Sequence, residues 1–145
     1  MSLTGAYDPD NIFAKIVRGD LPCARVYEDA DTLAFMDVFP QGPGHILVIH
    51  KRARARNLLD ADLADIAPVM ATVQRVGRAI VAALKPDGLA VMQFNGAASG
   101  QTIYHLHFHL IPRWEGTPLG GHAGGASDPR ELAELAAKIA EKIES

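Results

Sequence analysis

Apolar positions fall into short strand-like runs in the first half of the chain and into two longer stripes at helical spacing. Ile12, Phe13, Ile16 and Val17 recur at steps of three and four after Asp8-Pro9-Asp10, and Gly19 follows, which predicts a short N-terminal helix with a cap and a stop. Apolar-rich runs at residues 25–28, 32–36 and 45–49 predict three strands. The turn formers Glu28-Asp29-Ala30-Asp31 and Pro40-Gln41-Gly42-Pro43-Gly44 separate them. Leu63, Ile66, Met70, Val73, Ile80 and Leu84 then predict a long helix over about residues 61–84, with Asp60 as its N-cap and Pro68 in its first two turns. Strands over residues 89–94 and 103–111 follow, joined by a Gly/Ser-rich loop. A Gly-rich stretch, 116–125, leads to a last helix over about 128–144, where Asp128 caps, Pro129 fits the first turn, and Leu132, Leu135, Ile139 and Ile143 form the stripe. Short turns favour antiparallel pairing, so the pattern predicts an α+β fold with a roughly five-stranded antiparallel sheet and one long helix.

Composition narrows the function classes. The 145 residues suit a single domain over 1–145, and a 48% hydrophobic content excludes disorder. The only cysteine, Cys23, excludes an intrachain disulfide and a four-cysteine zinc site. A net charge of −3 gives no electrostatic reason to bind nucleic acid. No apolar run approaches the ~20 residues that span a bilayer, and the first residues lack a signal-peptide pattern, so the expectation is a soluble cytoplasmic domain without a membrane partner. The basic run His50-Lys51-Arg52-Ala53-Arg54-Ala55-Arg56 reads as a solvated connection or as a phosphate-attracting rim.

The segment that carries chemistry is Tyr104-His105-Leu106-His107-Phe108-His109-Leu110-Ile111. A period of two places His105, His107 and His109 on one face of a strand, and Tyr104, Leu106, Phe108 and Leu110 on the core face. The residues alone leave three readings open. The imidazoles could be solvated. Two of them, ~6.6 Å apart at a rise of ~3.3 Å per residue, could chelate a metal with help from other segments. Or they could act on a phosphate, one as nucleophile and another as hydrogen-bond or proton donor. The preceding loop, Asn95-Gly96-Ala97-Ala98-Ser99-Gly100-Gln101-Thr102, offers glycines for close approach and donors for phosphate oxygens.

His105-Leu106-His107-Phe108-His109-Leu110-Ile111 resembles the histidine triad (HIT) motif, and the likeness extends along most of the chain, from about Asn11 to Arg113. Asn11-Ile12-Phe13-Ala14-Lys15-Ile16-Val17-Arg18-Gly19, Leu33-Ala34-Phe35-Met36-Asp37, Pro43-Gly44-His45-Ile46-Leu47-Val48-Ile49 and Gly100-Gln101-Thr102 are similar to successive segments of the Hint-like branch. The resemblance implies a homodimeric nucleotide hydrolase or transferase. In it, His107 is the nucleophile at the α-phosphorus, His105 orients it, His45 supports His105, and His109 contacts the phosphate and helps the leaving group. Asn95, Gly100, Gln101 and Thr102 hold the phosphate or leaving group. Asp37 binds the ribose hydroxyls, and Ile12, Phe13, Phe35 and Val38 surround a purine base. The implied substrates are adenosine 5′-phosphoramidates or related AMP conjugates, with a dinucleoside polyphosphate hydrolase or a non-catalytic nucleotide-binding module as alternatives. No cofactor is required. Many bacterial relatives carry a structural zinc on two cysteines and a histidine; Asn11, Ala14 and Ala53 stand at those positions here, so that zinc site is expected to be absent. His50 and His122 match nothing functional and are expected at the surface.

Overall fold

A computed structural model describes residues 2–119 and 126–144. In chain order the elements are α1 (Ile12–Arg18), β1 (Arg25–Glu28), β2 (Thr32–Met36), β3 (Ile46–His50), α2 (Leu63–Leu84), β4 (Gly88–Met92), β5 (His107–Arg113) and α3 (Pro129–Ala140). The strands form one antiparallel sheet in the order β1-β2-β3-β5-β4. This is an α+β, HIT-like fold.

Every residue of β2 and β3 is buried, because both faces of the sheet are covered. Ala34, Met36, Ile46, Val48, Phe108 and Leu110 face α2 and α3 and form the main core with Val69, Val76, Ile80, Leu132 and Ile139. Leu33, Phe35, Leu47 and Ile49 face the other way and pack against Phe13 of α1. The histidines of β5 belong to this second, thinner layer.

Helix boundaries follow local capping chemistry. Asn11 caps α1 by accepting from the Ala14 amide, and Gly19 closes it in the left-handed conformation. Helix α2 begins two residues later than its apolar stripe suggests. Asp60 is occupied in a capping box with Asn57 around the 3-10 turn Leu58–Asp60, and Asp62 is the N-cap instead. Leu63 consequently lies outside the core, 81% exposed. Asp128 caps α3 as expected, but the helix ends at Ala140.

The largest departure concerns the histidine strand. It was expected over 103–111, yet β5 begins at His107. Its partner β3 ends at His50, just beyond the Ile49↔His107 pair, so residues 103–106 have no strand to pair with among the described residues. They are held by local contacts instead, such as the Leu106 amide on the Ala55 carbonyl at 2.9 Å. His50 is not a surface residue: it is 5% exposed, and its Nδ1 accepts from the amides of Arg52 and Ala53 at 3.0 and 2.9 Å. His122 lies outside the described residues. The basic run is consumed locally. Lys51 pairs with Glu28, Arg52 with Asp31, Arg54 lies over the Tyr7 ring and Arg56 over Tyr104.

Candidate active site

Register on β5 places His107 and His109 on the α1 side of the sheet, with ring centroids 4.9 Å apart. Phe13 stands edge-on to His107 at 4.9 Å and to Phe35 at 5.4 Å. Phe94 tilts against His109 at 5.4 Å. These side chains border a cleft of about 270 Å³ whose walls are mostly apolar. Seven of the nine residues expected around a nucleotide line it: Ile12, Phe13, Phe35, Asp37, Val38, Gly100 and Thr102. Sequence reasoning overlooked Phe39, Phe94 and Ile103, which also line it and which no local pattern distinguishes from ordinary core positions.

All four candidate catalytic histidines are buried: His45 at 0%, His105 at 2%, and His107 and His109 at 7%. Solvated imidazoles are thereby excluded. Hydrogen bonds fix the proton on each ring. His107 Nδ1 lies 2.7 Å from the His105 carbonyl, which can only accept, so Nδ1 carries the proton and Nε2 carries the lone pair. Burial lowers the pKa of His107 from its ordinary 6.5, with the His105 carbonyl acting in the opposite direction, so the ring is neutral at neutral pH. His105 donates from Nε2 to the His50 carbonyl at 3.1 Å, which leaves its Nδ1 to accept from the Tyr7 hydroxyl at 2.9 Å. Burial pushes the pKa of His105 down to about 4, against the stabilising His50 carbonyl.

His45 does not support His105. Its Nδ1 accepts from the Gln41 amide at 3.0 Å, so the proton sits on Nε2, 2.9 Å from His109 Nδ1 and 3.5 Å from an Asp37 carboxylate oxygen. His45 precedes β3 at the end where Leu47 pairs with His109, and His105 lies beyond the opposite end of that strand. Accepting at Nδ1 leaves His109 as the Nε2–H tautomer. The Gln41 amide, through His45, sets the tautomer of His109, and Tyr7 with the His50 carbonyl holds that of His105; the sequence reading missed both Gln41 and Tyr7.

Two expected phosphate ligands turn away from the cleft. Gln101, 3% exposed, accepts from the Gly96 amide at 2.9 Å and donates to the carbonyls of Arg56 at 2.7 Å and Ile103 at 3.1 Å. Asn95 Oδ1 accepts from the Leu58 amide at 3.0 Å and from Gln93 at 2.9 Å. Both staple the loop that carries Gly100 and Thr102 rather than lining the cleft.

The ligating atoms of Asp37, His45 and His109 lie within 4.8 Å of one another and are the group best placed to hold a metal among the described residues. The two ring nitrogens are 2.9 Å apart, shorter than the ~3.3 Å that separates two nitrogen ligands on a tetrahedral zinc, and this is a hydrogen-bond length.

The HIT domain family model matches residues 18–116. Over 136 residues the chain is 39% identical to the adenosine 5′-monophosphoramidase hnt1 of Schizosaccharomyces pombe, covering 91% of this chain and 97% of that protein. It is 39% identical over 106 residues to the adenylylsulfatase HINT3 of Arabidopsis thaliana, covering 73% of this chain and 53% of that protein. Among solved structures, a Hit-like protein from Bartonella henselae superposes with a TM-score of 0.89 at 51% identity, covering 95% of this chain and all (100%) of that one. By its fold, its matched domain and these relatives, the chain belongs to the HIT family of proteins.

Proposed function

We propose that this protein hydrolyses purine nucleoside 5′-phosphoramidates or related AMP conjugates through a covalent nucleotidyl-histidine on His107. The observation that carries the reading is the tautomer of His107. The His105 carbonyl holds the proton on Nδ1, which leaves a nucleophilic Nε2 on a ring that lines the cleft. Nε2 attacks the α-phosphorus and forms a P–N bond while the bond to the leaving amine breaks. The leaving nitrogen enters already protonated and departs as the neutral amine, with the Nε2–H of His109 hydrogen-bonded on the leaving side and its Nδ1 engaged by His45. The ring of His107 gains positive charge as Nε2 is substituted, and the Nδ1–H to carbonyl bond shares that charge. Water then attacks phosphorus as the P–N bond to His107 breaks, loses one proton to solvent, and AMP and free neutral His107 are released.

The remaining cleft matches a nucleoside. Asp37 offers a carboxylate to ribose hydroxyls, while Ile12, Phe13, Phe35 and Val38 provide flat and branched apolar walls for a base. The names of the relatives agree with this substrate class. In this reading the protein acts as a homodimer. The edge strand β4 and helix α2 present a groove of Val73, Gly77, Val81, Leu89 and Val91, in which Val81 and Val91 are 46% and 49% exposed. The reading calls for no metal, and Asn11, Ala14 and Ala53 offer no cysteine or histidine ligand for a zinc at their positions.

The test is AMP release from adenosine 5′-phosphoramidate by the wild type and by His107→Ala, with mass spectrometry of the quenched wild type. Rapid release abolished by the substitution, together with an AMP-sized adduct on His107, is the expected result. Release that survives His107→Ala, or no release from either protein, overturns the assignment.

A further inference from the structure

The N-terminal segment ahead of α1 reaches the site through one side chain. Tyr7 stacks obliquely on His105, with ring centroids 5.7 Å apart, and places its hydroxyl 2.9 Å from Nδ1. On the far side of that ring Nε2 meets the His50 carbonyl at 3.1 Å. A carbonyl cannot donate, so the two contacts are compatible with one arrangement only: proton on Nε2, lone pair on Nδ1, Tyr7 donating. Residues 103–106 lack a partner strand among the described residues, so His105 depends on these side-chain contacts and on the neighbouring Leu106 amide for its placement. The carbonyl of the same residue holds the proton of His107.

We propose that Tyr7 is a positioning residue for the reaction: its hydroxyl, donating to Nδ1 opposite the His50 carbonyl, pins the neutral His105 ring from its second side and so steadies the carbonyl that keeps Nε2 of His107 unprotonated. The inference rests on the nucleotidyl-histidine reading for its effect on turnover, but the tautomer itself can be observed without substrate. Tyr7 does not line the cleft, so its influence passes through His105. The groups facing His105 are Tyr7 from the N-terminal segment, the carbonyl and ring of His50 from β3, His107 from β5 and the uncharged Phe13 from α1, with the Arg54 guanidinium over the back of the Tyr7 ring. The hydroxyl stabilises neutral His105, since protonating Nδ1 would require it to turn away. Its removal therefore raises the pH at which His105 protonates.

The variant is Tyr7→Phe, which keeps the ring and its contact with Arg54. Long-range ¹H–¹⁵N spectra of the histidine rings should show the Nε2–H tautomer at His105 in the wild type, and in the variant the His105 Nδ1 resonance should move as it loses the Tyr7 donor. With adenosine 5′-phosphoramidate, kcat should fall about three- to tenfold, the loss expected for one hydrogen bond, while KM stays within about twofold. The acid limb of the kcat profile should move to higher pH, an effect that loosened packing alone would not produce. A wild type with the proton on Nδ1 of His105 overturns the proposal, and so does a variant with unchanged spectra, kcat and pH profile. If neither protein turns over any AMP conjugate, the hydrolase reading falls and the positioning role falls with it, even where the spectra confirm the hydrogen bond.

Discussion

Gln101 separates two roles that the sequence cannot distinguish. As a phosphate ligand it would matter to substrate; as a buried staple it matters to folding. Its amide makes three hydrogen bonds, to the Gly96 amide and to the carbonyls of Arg56 and Ile103, at 2.7 to 3.1 Å and almost without solvent contact. Gln101→Ala deletes all three and strands a buried N–H and two carbonyls where water has little access. Each such bond contributes about 1 kcal/mol net, and stranded groups add desolvation, so the loss comes to roughly 2–4 kcal/mol. At ~3 °C per kcal/mol for a chain of this size, the melting temperature should fall by roughly 6–12 °C. Differential scanning calorimetry gives that shift directly, and urea midpoints check it. Well below the lowered midpoint, KM for an AMP conjugate should change far less than stability does. A variant that melts within about 2 °C of the wild type yet loses nucleotide binding would refute the reasoning and restore Gln101 as a substrate ligand.

Other outcomes follow from the same geometry. His45→Leu fills the buried site without an N–H for His109, freeing its tautomer; kcat should drop at least about tenfold with KM little changed, and equal losses in both would argue against a role at the leaving group. His105, at about 4 in the folded chain against 6.5 when unfolded, binds fewer protons folded than unfolded between those values. Stability should therefore be full above about pH 6.5 and decline towards pH 4, with about 2 kcal/mol of the loss falling between pH 6.5 and 5, as read from urea midpoints. A flat stability over that interval would contradict a buried neutral His105. Val91→Glu places a charge on the exposed face of the edge strand β4 and should yield monomers by light scattering; a wild type already monomeric at micromolar concentration would remove the dimer reading.

The fold was legible where one periodicity and one local cap decided the outcome. Strands β1 and β2 lie where their apolar runs place them, and Asp128 and Gly19 end or begin helices as their chemistry dictates. Boundaries slipped where two signals competed. Asp60 and Asp62 could each cap α2, and the Asn57 capping box removed Asp60 from the choice. Local capping preference carries no information about which neighbour will claim a side chain first.

The sequence by itself determined the face on which His107 and His109 stand, because a strand alternates its side chains whatever surrounds it. It also marked seven residues that meet in one cleft, by their likeness to a known pattern. Only the tertiary structure decided how each imidazole is protonated and what it supports. Strand pairing sends His45 to His109 and leaves His105 beyond the end of β3, where Tyr7 and the His50 carbonyl take its two nitrogens. Burial on the second face of the sheet, where Phe13 of α1 stands against both rings, holds His105 and His107 neutral. Hydrogen-bond direction and desolvation depend on which distant groups the fold brings together, and no local period records that.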